Sequence, residues 1–357
     1  MRELSQKVTE KELFLVFFKL GIFGFGGPAA HIAMMREEVV QKRNWVNEND
    51  FFDLVGATGL IPGPNSTELA IHIGHKLLGW RGLFIAGLSF IVPAFLAVLS
   101  LAWFYVEYGS IPALNPILEG IRPVVIAIIL LALWSFRKSA IRNSKELVVC
   151  ILAIMAGFLG HNEVAVILLS GLLLAIAGKI PTKKLAIEPI SIFLFFLKIG
   201  SVLFGSGYVL LAFLQNELVD ERLWLTSAQL MDAVTVGQVT PGPVFTTATF
   251  IGFLLHGFSG ATVATIGIFL PSFFFVALSA PYLARLRKSE VFSQLLNGVN
   301  AASFALMALV TFELGSKSLF SFSTWIIFLI SLLILRFTKI NSAYLIVAGG
   351  IVGFILM

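Results

Sequence analysis

Lys19 and Lys198 stand inside apolar stretches of phenylalanine and leucine, each ahead of a Pro-Gly-Pro triplet, at 62–64 or 241–243. Charge placed in a bilayer is costly unless it is paired or hydrated. The two lysines therefore either face a polar cavity, where they attract an anion, or snorkel toward the headgroups. Recurrence of the same residue at both places favours the cavity. Proline removes a backbone donor and disfavours helix in the residue before it, so each triplet interrupts a helix and a new one starts behind it. A helix start offers free N–H groups and the positive end of the dipole. Gly63, Asn65, Ser66 and Thr67 at one triplet, and Gly242, Thr246 and Thr247 at the other, form two candidate anion sites whose hydroxyls donate without adding charge. Ordinary capping explains the same residue types. Two such starts meeting near the midplane, as in broken-helix transporters, is the more specific arrangement.

Carboxylates near these sites could carry a coupling proton. Asp53 and Asp232 hold equivalent places on the arm entering each triplet, fit either for that task or for capping and salt-bridging. Glu68 differs, because its counterpart is Thr247 and only one triplet has a carboxylate beside it. There it would repel a dianion unless protonated or paired, which is a basis for proton coupling. His72 and His75 stand three apart, with no further Cys or His to complete a metal set, and are expected to be core or interfacial. No metal or cofactor is expected. The chain has no His-Glu-x-x-His, Gly-x-Ser-x-Gly or Walker sequence, so uphill transport must draw on an ion gradient.

The elements that position these residues are written twice. Residues 14–67 and 193–246 align without a gap at an offset of 179, with eighteen of fifty-four positions identical. The match resumes at an offset of 178, pairing Gly74 with Gly252, Gly79 with Gly257, Gly82 with Gly260 and Pro93 with Pro271. Such self-similarity marks a duplicated unit. The expected halves are 1–180 and 181–357, joined in the Lys-rich stretch 179–189. Each reads as a helix (12–28 or 191–208), a polar amphipathic stretch and a helix–PGP–helix segment (50–78 or 229–256). Four apolar helices follow in each half: 82–106, 116–136, 146–160 and 163–178, then 261–281, 291–313, 319–336 and 341–357. An arm of about 12–14 residues cannot cross a core that needs roughly 20, so each PGP segment is expected to be a re-entrant hairpin. Five crossings per half remain, and an odd number inverts the second half relative to the first. Loop charge agrees with this except at the N-terminal tail, where Glu3, Glu10 and Glu12 offset Arg2, Lys7 and Lys11. Arg36, Lys42, Arg43, Lys76 and Arg81 surround the first hairpin, against Arg222 at the second, while Arg285, Arg287 and Lys288 face a counterpart loop, 107–116, with no basic residue. Both termini come out extracytoplasmic. Six parallel crossings per half is the alternative that this charge pattern disfavours.

Composition sets the class. With 58% apolar and 13% charged residues and a mean hydropathy of +0.94, the chain lacks the polar surface of a soluble globule. It reads as an all-α polytopic membrane protein, and no ten-residue alternation suggests a barrel. The net charge of +5 suits loops facing a lipid bilayer rather than nucleic acid. The lone Cys150 excludes an intrachain disulfide. Because the first apolar stretch recurs in mid-chain, it is expected to belong to the transporter rather than to a cleaved leader. Gly-rich 21–28 lacks the ending of a phosphate loop and suits close helix packing. Trp45 and Trp224 are expected at membrane interfaces.

The motifs Phe14-Leu15-x-Phe17-x-Lys19-x-Gly21-x-x-x-Phe25-Gly26-Gly27-Pro28, Arg43-Asn44-Trp45-Val46 and Gly59-Leu60-Ile61-Pro62-Gly63-Pro64-Asn65-Ser66-Thr67-Glu68 stand in the first half. Lys198-Ile199-Gly200, Phe204-Gly205 and Val236-Gly237-Gln238-Val239-Thr240-Pro241-Gly242-Pro243 stand in the second. Together they resemble the chromate transporter family in its long-chain, two-domain form, over nearly the whole chain. The resemblance implies a protein of the bacterial or archaeal cytoplasmic membrane that exports chromate, coupled to protons. It places Lys19, Lys198 and the two PGP turns on the substrate path, with Gln238 beside the second turn. Chromate is a tetrahedral dianion close to sulfate in size and charge. A carrier of sulfate or a related oxyanion, a passive anion channel and an intramembrane enzyme are the other readings. The second half has Phe204-Gly205-Ser206-Gly207 where the first has Phe25-Gly26-Gly27-Pro28, so the two sites need not be equivalent. Oligomeric state, a homodimer included, is left open.

Overall fold

The computed structural model describes residues 8–108, 115–158, 187–203, 209–279 and 301–356, apart from isolated positions at 26, 60, 142, 143, 303, 306, 307, 310, 313, 339 and 341. In chain order the helices are α1 (Glu10–Phe23), α2 (Gly27–Arg36), α3 (Glu48–Thr58), α4 (Asn65–Tyr108), α5 (Asn115–Ala140) and α6 (Ser144–Phe158). After these come α7 (Pro189–Val202), α8 (Val209–Leu214), α9 (Ser227–Val239), α10 (Thr247–Ser279), α11 (Phe322–Phe337) and α12 (Ser342–Leu356). Two π-helical stretches, Glu37–Lys42 and Gln215–Glu221, follow α2 and α8, and a 3₁₀ turn, Val244–Thr246, precedes α10. Among the described residues there is no β-strand.

Both long helices are broken at equivalent places. In α4 the backbone leaves helical geometry at Leu78 and Gly79 (φ +58°), and in α10 it does so at His256 and Gly257 (φ +55°). Eight residues of straight helix span about 12 Å, yet a Cβ on Gly74 or Gly82 would strike the other's backbone. The arms of α4 therefore fold back on each other, and Gly252 and Gly260 report the same reversal in α10. Each PGP triplet thus has a short helix on either side: α3 with 11 residues or α9 with 13 before it, and the first arm of α4 or α10 after it. None of these reaches across a hydrocarbon core alone. By length and composition, Asn65–Tyr108, Pro116–Trp134 and Val244–Ser279 qualify as spans, with shorter apolar helices at Pro189–Val202, Phe322–Phe337 and Tyr344–Ile355. The second arm of α4, residues 80–108, is long enough to cross by itself, and Phe84 and Leu88 on it are exposed.

The chain divides into two compact units that each draw on both halves of the sequence. One gathers Met1–Trp103, Ile187–Gly207 and Thr240–Lys288, and so holds α1 to α4, α7 and α10. Its first-half core forms because Leu13, Val16, Phe17 and Leu20 recur at helical spacing on α1. They bury against Phe51 of α3, Leu69 and Ile73 of the first arm of α4 and Phe90 of the second. On α7, Ile192, Phe195, Phe196 and Ile199 are buried in the same pattern. The other unit gathers Phe104–Ala186, Tyr208–Val239 and Ser289–Met357; in it α5 packs against α9, α11 and α12.

One expected helix ends early. The stretch read as 12–28 stops at Phe23, and Gly24 and Phe25 leave helical geometry before α2 begins. The Gly-rich run therefore straddles a helix end rather than lying within a helix, and the freed Gly24 carbonyl is used below. Expected helix 163–178 lies outside the described residues, as does most of 291–313.

Candidate functional site

The two PGP turns are held by a reciprocal exchange. Gly63 takes φ +135° and its N–H donates to the Leu203 carbonyl at 2.7 Å; Gly242 takes φ +92° and its N–H donates to the Gly24 carbonyl at 2.8 Å. Gly63 and Gly242 are sequence equivalents, and so are Gly24 and Leu203. Each turn thus caps the carbonyl left free at the C-terminus of the other half's first helix, one of the groups a helix end must satisfy externally. The Gly24 carbonyl also accepts from His31 Nε2 at 2.7 Å, which places that ring's proton on Nε2.

Around these glycines the halves diverge. A Cβ on Gly242 would lie 2.5 Å from the Ala94 methyl, whereas one on Gly63 would meet the Ser272 hydroxyl at 2.5 Å and the Glu68 carboxylate. Ala94 and Ser272 follow the equivalent prolines Pro93 and Pro271. One turn is therefore lined by a carboxyl and a hydroxyl, and the other by the Ala94 methyl and the Gly21 carbonyl. Glu68 and Ser272 are fully buried, and among the described residues there is no hydrogen-bond partner for either Glu68 oxygen, for Ser272 Oγ or for the neighbouring Asn65 Oδ1 and Thr67 Oγ1. Unsatisfied buried polar groups carry a desolvation cost that an evolved core avoids unless they serve a task.

The other expected site residues fall in both units. Lys19 is exposed on α1 and Lys198 half-buried on α7. Ser66, Thr67, Thr246 and Thr247 are buried where their helices start, but the last two donate within their own turn, to the Pro243 and Val244 carbonyls at 2.8 Å each. In this conformation those two donors are not aimed at an anion. Gln238, on α9 in the second unit, is buried with its Nε2 unpartnered.

Asp53 and Asp232, though sequence equivalents, have different surroundings. Asp53 is exposed on α3. Asp232, 3% exposed on α9, receives Arg122 Nη2 at 3.0 Å and Nε at 3.1 Å on Oδ1, and Tyr105 Oη at 2.8 Å on Oδ2. Sequence reasoning passed over Arg122, although an arginine inside the apolar run 116–136 is a signal of a buried partner. It also passed over Ser272, whose signal was a hydroxyl opposite Ala94 in the repeat.

A second repeated feature is legible only in three dimensions. In each half a π-helical stretch ends in a Glu–Arg–Trp clamp. Arg43 pairs with Glu38 and lies 5.4 Å from the Trp45 ring, and Arg222 pairs with Glu217 at 3.4 Å and lies 5.0 Å from Trp224. The Trp45 N–H donates to Val39 and the Trp224 N–H to Leu218, both at 2.8 Å. Between Arg and Trp, Asn44 and Leu223 take φ of +52° and +57°. Burial pushes the Glu38 carboxyl up, but hydrogen bonds and charge from Lys42 and Arg43 outweigh it and hold the group below the ordinary carboxylate range.

This duplicated geometry has a counterpart among known sequences, where a family profile described as chromate transporter matches residues 11–176 and again 190–354. The chain belongs to the chromate transporter family. It is similar to the chromate transport protein of Cupriavidus metallidurans, with 31% identity over 97% of this chain and 93% of that one. It is also similar to the probable chromate transport protein of Synechococcus elongatus, with 33% identity over 90% of this chain and 89% of the relative. An uncharacterised transporter of Methanocaldococcus jannaschii is 29% identical over 97% of this chain and 94% of its own. No solved structure matches. With chromate transporters as relatives and several apolar helices, this is a multi-pass membrane protein.

Proposed function

We propose that the protein is a secondary active transporter that exports chromate across the cytoplasmic membrane by alternating access, coupled to protons. The observation that carries this reading is the family match over both halves, joined to the reciprocal closure of each PGP turn on the other half's first helix. Two interrupted helices locked in this way suit a midplane anion site. The helix starts behind Gly63 and Gly242 supply N–H groups and positive dipole. Lys19 and Lys198 supply the countercharge that a dianion needs, and Gln238 is a further substrate-binding candidate.

Glu68 is the proton carrier in this reading. It is buried beside Gly63, lacks a hydrogen-bond partner among the described residues, and its counterpart in the second half is Thr247. Ionised, it opposes a dianion; protonated, it does not, so proton and anion occupancy are linked. Asp53 and Asp232 stand behind it as coupling candidates, the latter already committed to Arg122. Ten crossings in two inverted halves, 1–180 and 181–357, complete the architecture, supported by the alternation of basic loops.

Purified protein in vesicles tests the reading. Labelled chromate should accumulate against its own gradient when a pH difference is imposed, and the direction should reverse with that difference. Flux that only dissipates the anion gradient would refute a carrier in favour of a channel. Equal competition by sulfate would widen the substrate to tetrahedral oxyanions. Lys19→Met and Lys198→Met should each weaken apparent chromate affinity in folded protein, and unchanged affinity in both would remove the lysines from the site.

A further inference from the structure

We propose that Glu68, His72 and His75 form a proton path along one face of α4's first arm, with His72 as the relay between the half-exposed end of the helix and the buried carboxylate. The proposal rests on the reading of Glu68 as the proton carrier. Positions 68, 72 and 75 follow the i, i+4, i+7 spacing that stacks side chains on one face of a helix. The helix is unbroken until Leu78, so the three groups span about 10 Å along its axis. Exposure rises along this row: Glu68 is fully buried, His72 is 2% exposed, and His75 is half-buried. At its outer end Lys76 is exposed and bound to Asp50 at 3.0 Å.

Two observations argue against plain core histidines. Among the described residues, His72 Nε2 and both Glu68 oxygens are buried without a partner on the same helix face, at the i, i+4 separation that a bridging water can span. The second half, moreover, has no ionisable group along the corresponding arm: Ile251 follows Thr247 at the same spacing, Phe253 matches His75 at the offset of 178, and the first titratable side chain is His256 at the break. The fold does not need histidines there.

Imidazole relays by accepting a proton on one nitrogen while releasing the one on the other. A proton arriving from His75 is thus replaced by one delivered to Glu68, whose carboxylate becomes a carboxylic acid able to donate to Ser272 Oγ. The surrounding elements offer few rival carriers. The ionisable groups on the elements packed around this arm include His31 on α2, its Nε2 held by the Gly24 carbonyl, Asp50 and Asp53 on α3, Glu38 on the π-helical stretch, Arg81 on the second arm and Lys19 on α1. Asp50, Glu38 and Arg81 are held in ion pairs with Lys76, Arg43 and Glu10. From α10 comes Ser272, and its one ionisable residue is His256.

The test uses the full-length protein in vesicles with two readouts: exchange of labelled chromate at equal pH on both sides, and proton movement driven by a chromate gradient, read with a trapped pH dye. In wild type, absence of exchange refutes the transport reading. Exchange without proton movement refutes coupling, and the relay falls with it. Given both in wild type, His72→Phe should keep exchange within about twofold and cut proton movement at least tenfold. His72→Gln, which keeps a polar side chain of similar reach, should do the same and guards against a Phe variant that does not fold. Proton movement retained by either variant, or exchange and proton movement lost in equal proportion, overturns the relay.

Discussion

Replacing Arg122 with Met leaves the Asp232 carboxylate in a site where it is 3% exposed, with Tyr105 as its one remaining partner among the contacts that hold it. The native pair is nearly bidentate, with contacts at 3.0, 3.1 and 3.2 Å, and the Arg122 side chain is only 22% exposed, so solvent screens it weakly. Breaking one side of such a pair strands a buried charge and costs about 3–5 kcal/mol. Removing both charges strands neither charge: Arg122→Met with Asp232→Leu should cost no more than the hydrogen bond that Tyr105 loses, roughly 1.5–3 kcal/mol. Tyr105→Phe removes one hydrogen bond to a charged acceptor and should cost roughly 1.5–3 kcal/mol. Equilibrium unfolding in mixed detergent micelles, run as a double-mutant cycle, measures all of these. Additive single costs in the double variant, or a cost below about 1 kcal/mol for Arg122→Met, would refute the argument that this pair is a buried, mutually dependent clasp between α5 and α9.

Gly242→Ala forces a side chain onto φ +92° and against the Ala94 methyl at 2.5 Å, and should cost about 2–4 kcal/mol. Ala94→Gly in the same chain should recover only the steric part in an unfolding measurement. Leu223→Asn should stabilise by about 1 kcal/mol, because Asn tolerates the left-handed φ of +57° that strains a leucine, as Asn44 already does in the other half. The folded-state pKa of the Glu38 carboxyl is depressed, so its contribution is fully present above the unfolded carboxylate value of about 4.3 and is lost as pH falls through the lower folded value. Glu38→Gln should therefore flatten the acid limb of a melting-temperature profile while lowering stability at neutral pH.

Much of the fold was legible because its signals are local. The PGP triplets had to break helices, and the short arms beside them appear as α3, α9 and the first arms of α4 and α10. The early end of α1 was missed because the apolar run continues through Phe25, and hydropathy does not register that Gly24 leaves helical geometry. Asp53 and Asp232 looked alike in sequence, yet one is exposed and the other clasped by Arg122, since partners more than a hundred residues away leave no local trace.

The sequence by itself determined that this is a membrane protein with a duplicated core, because hydropathy and repetition are properties of the chain alone. It also singled out Glu68 as the carboxylate without a twin. Only the tertiary structure decided how the two copies meet: each PGP glycine donates to the opposite half's first helix, and Ser272 and Glu68 flank Gly63 where Ala94 flanks Gly242. Those contacts join residues roughly 140 to 220 positions apart, and such contacts depend on how the helices pack rather than on which helices form.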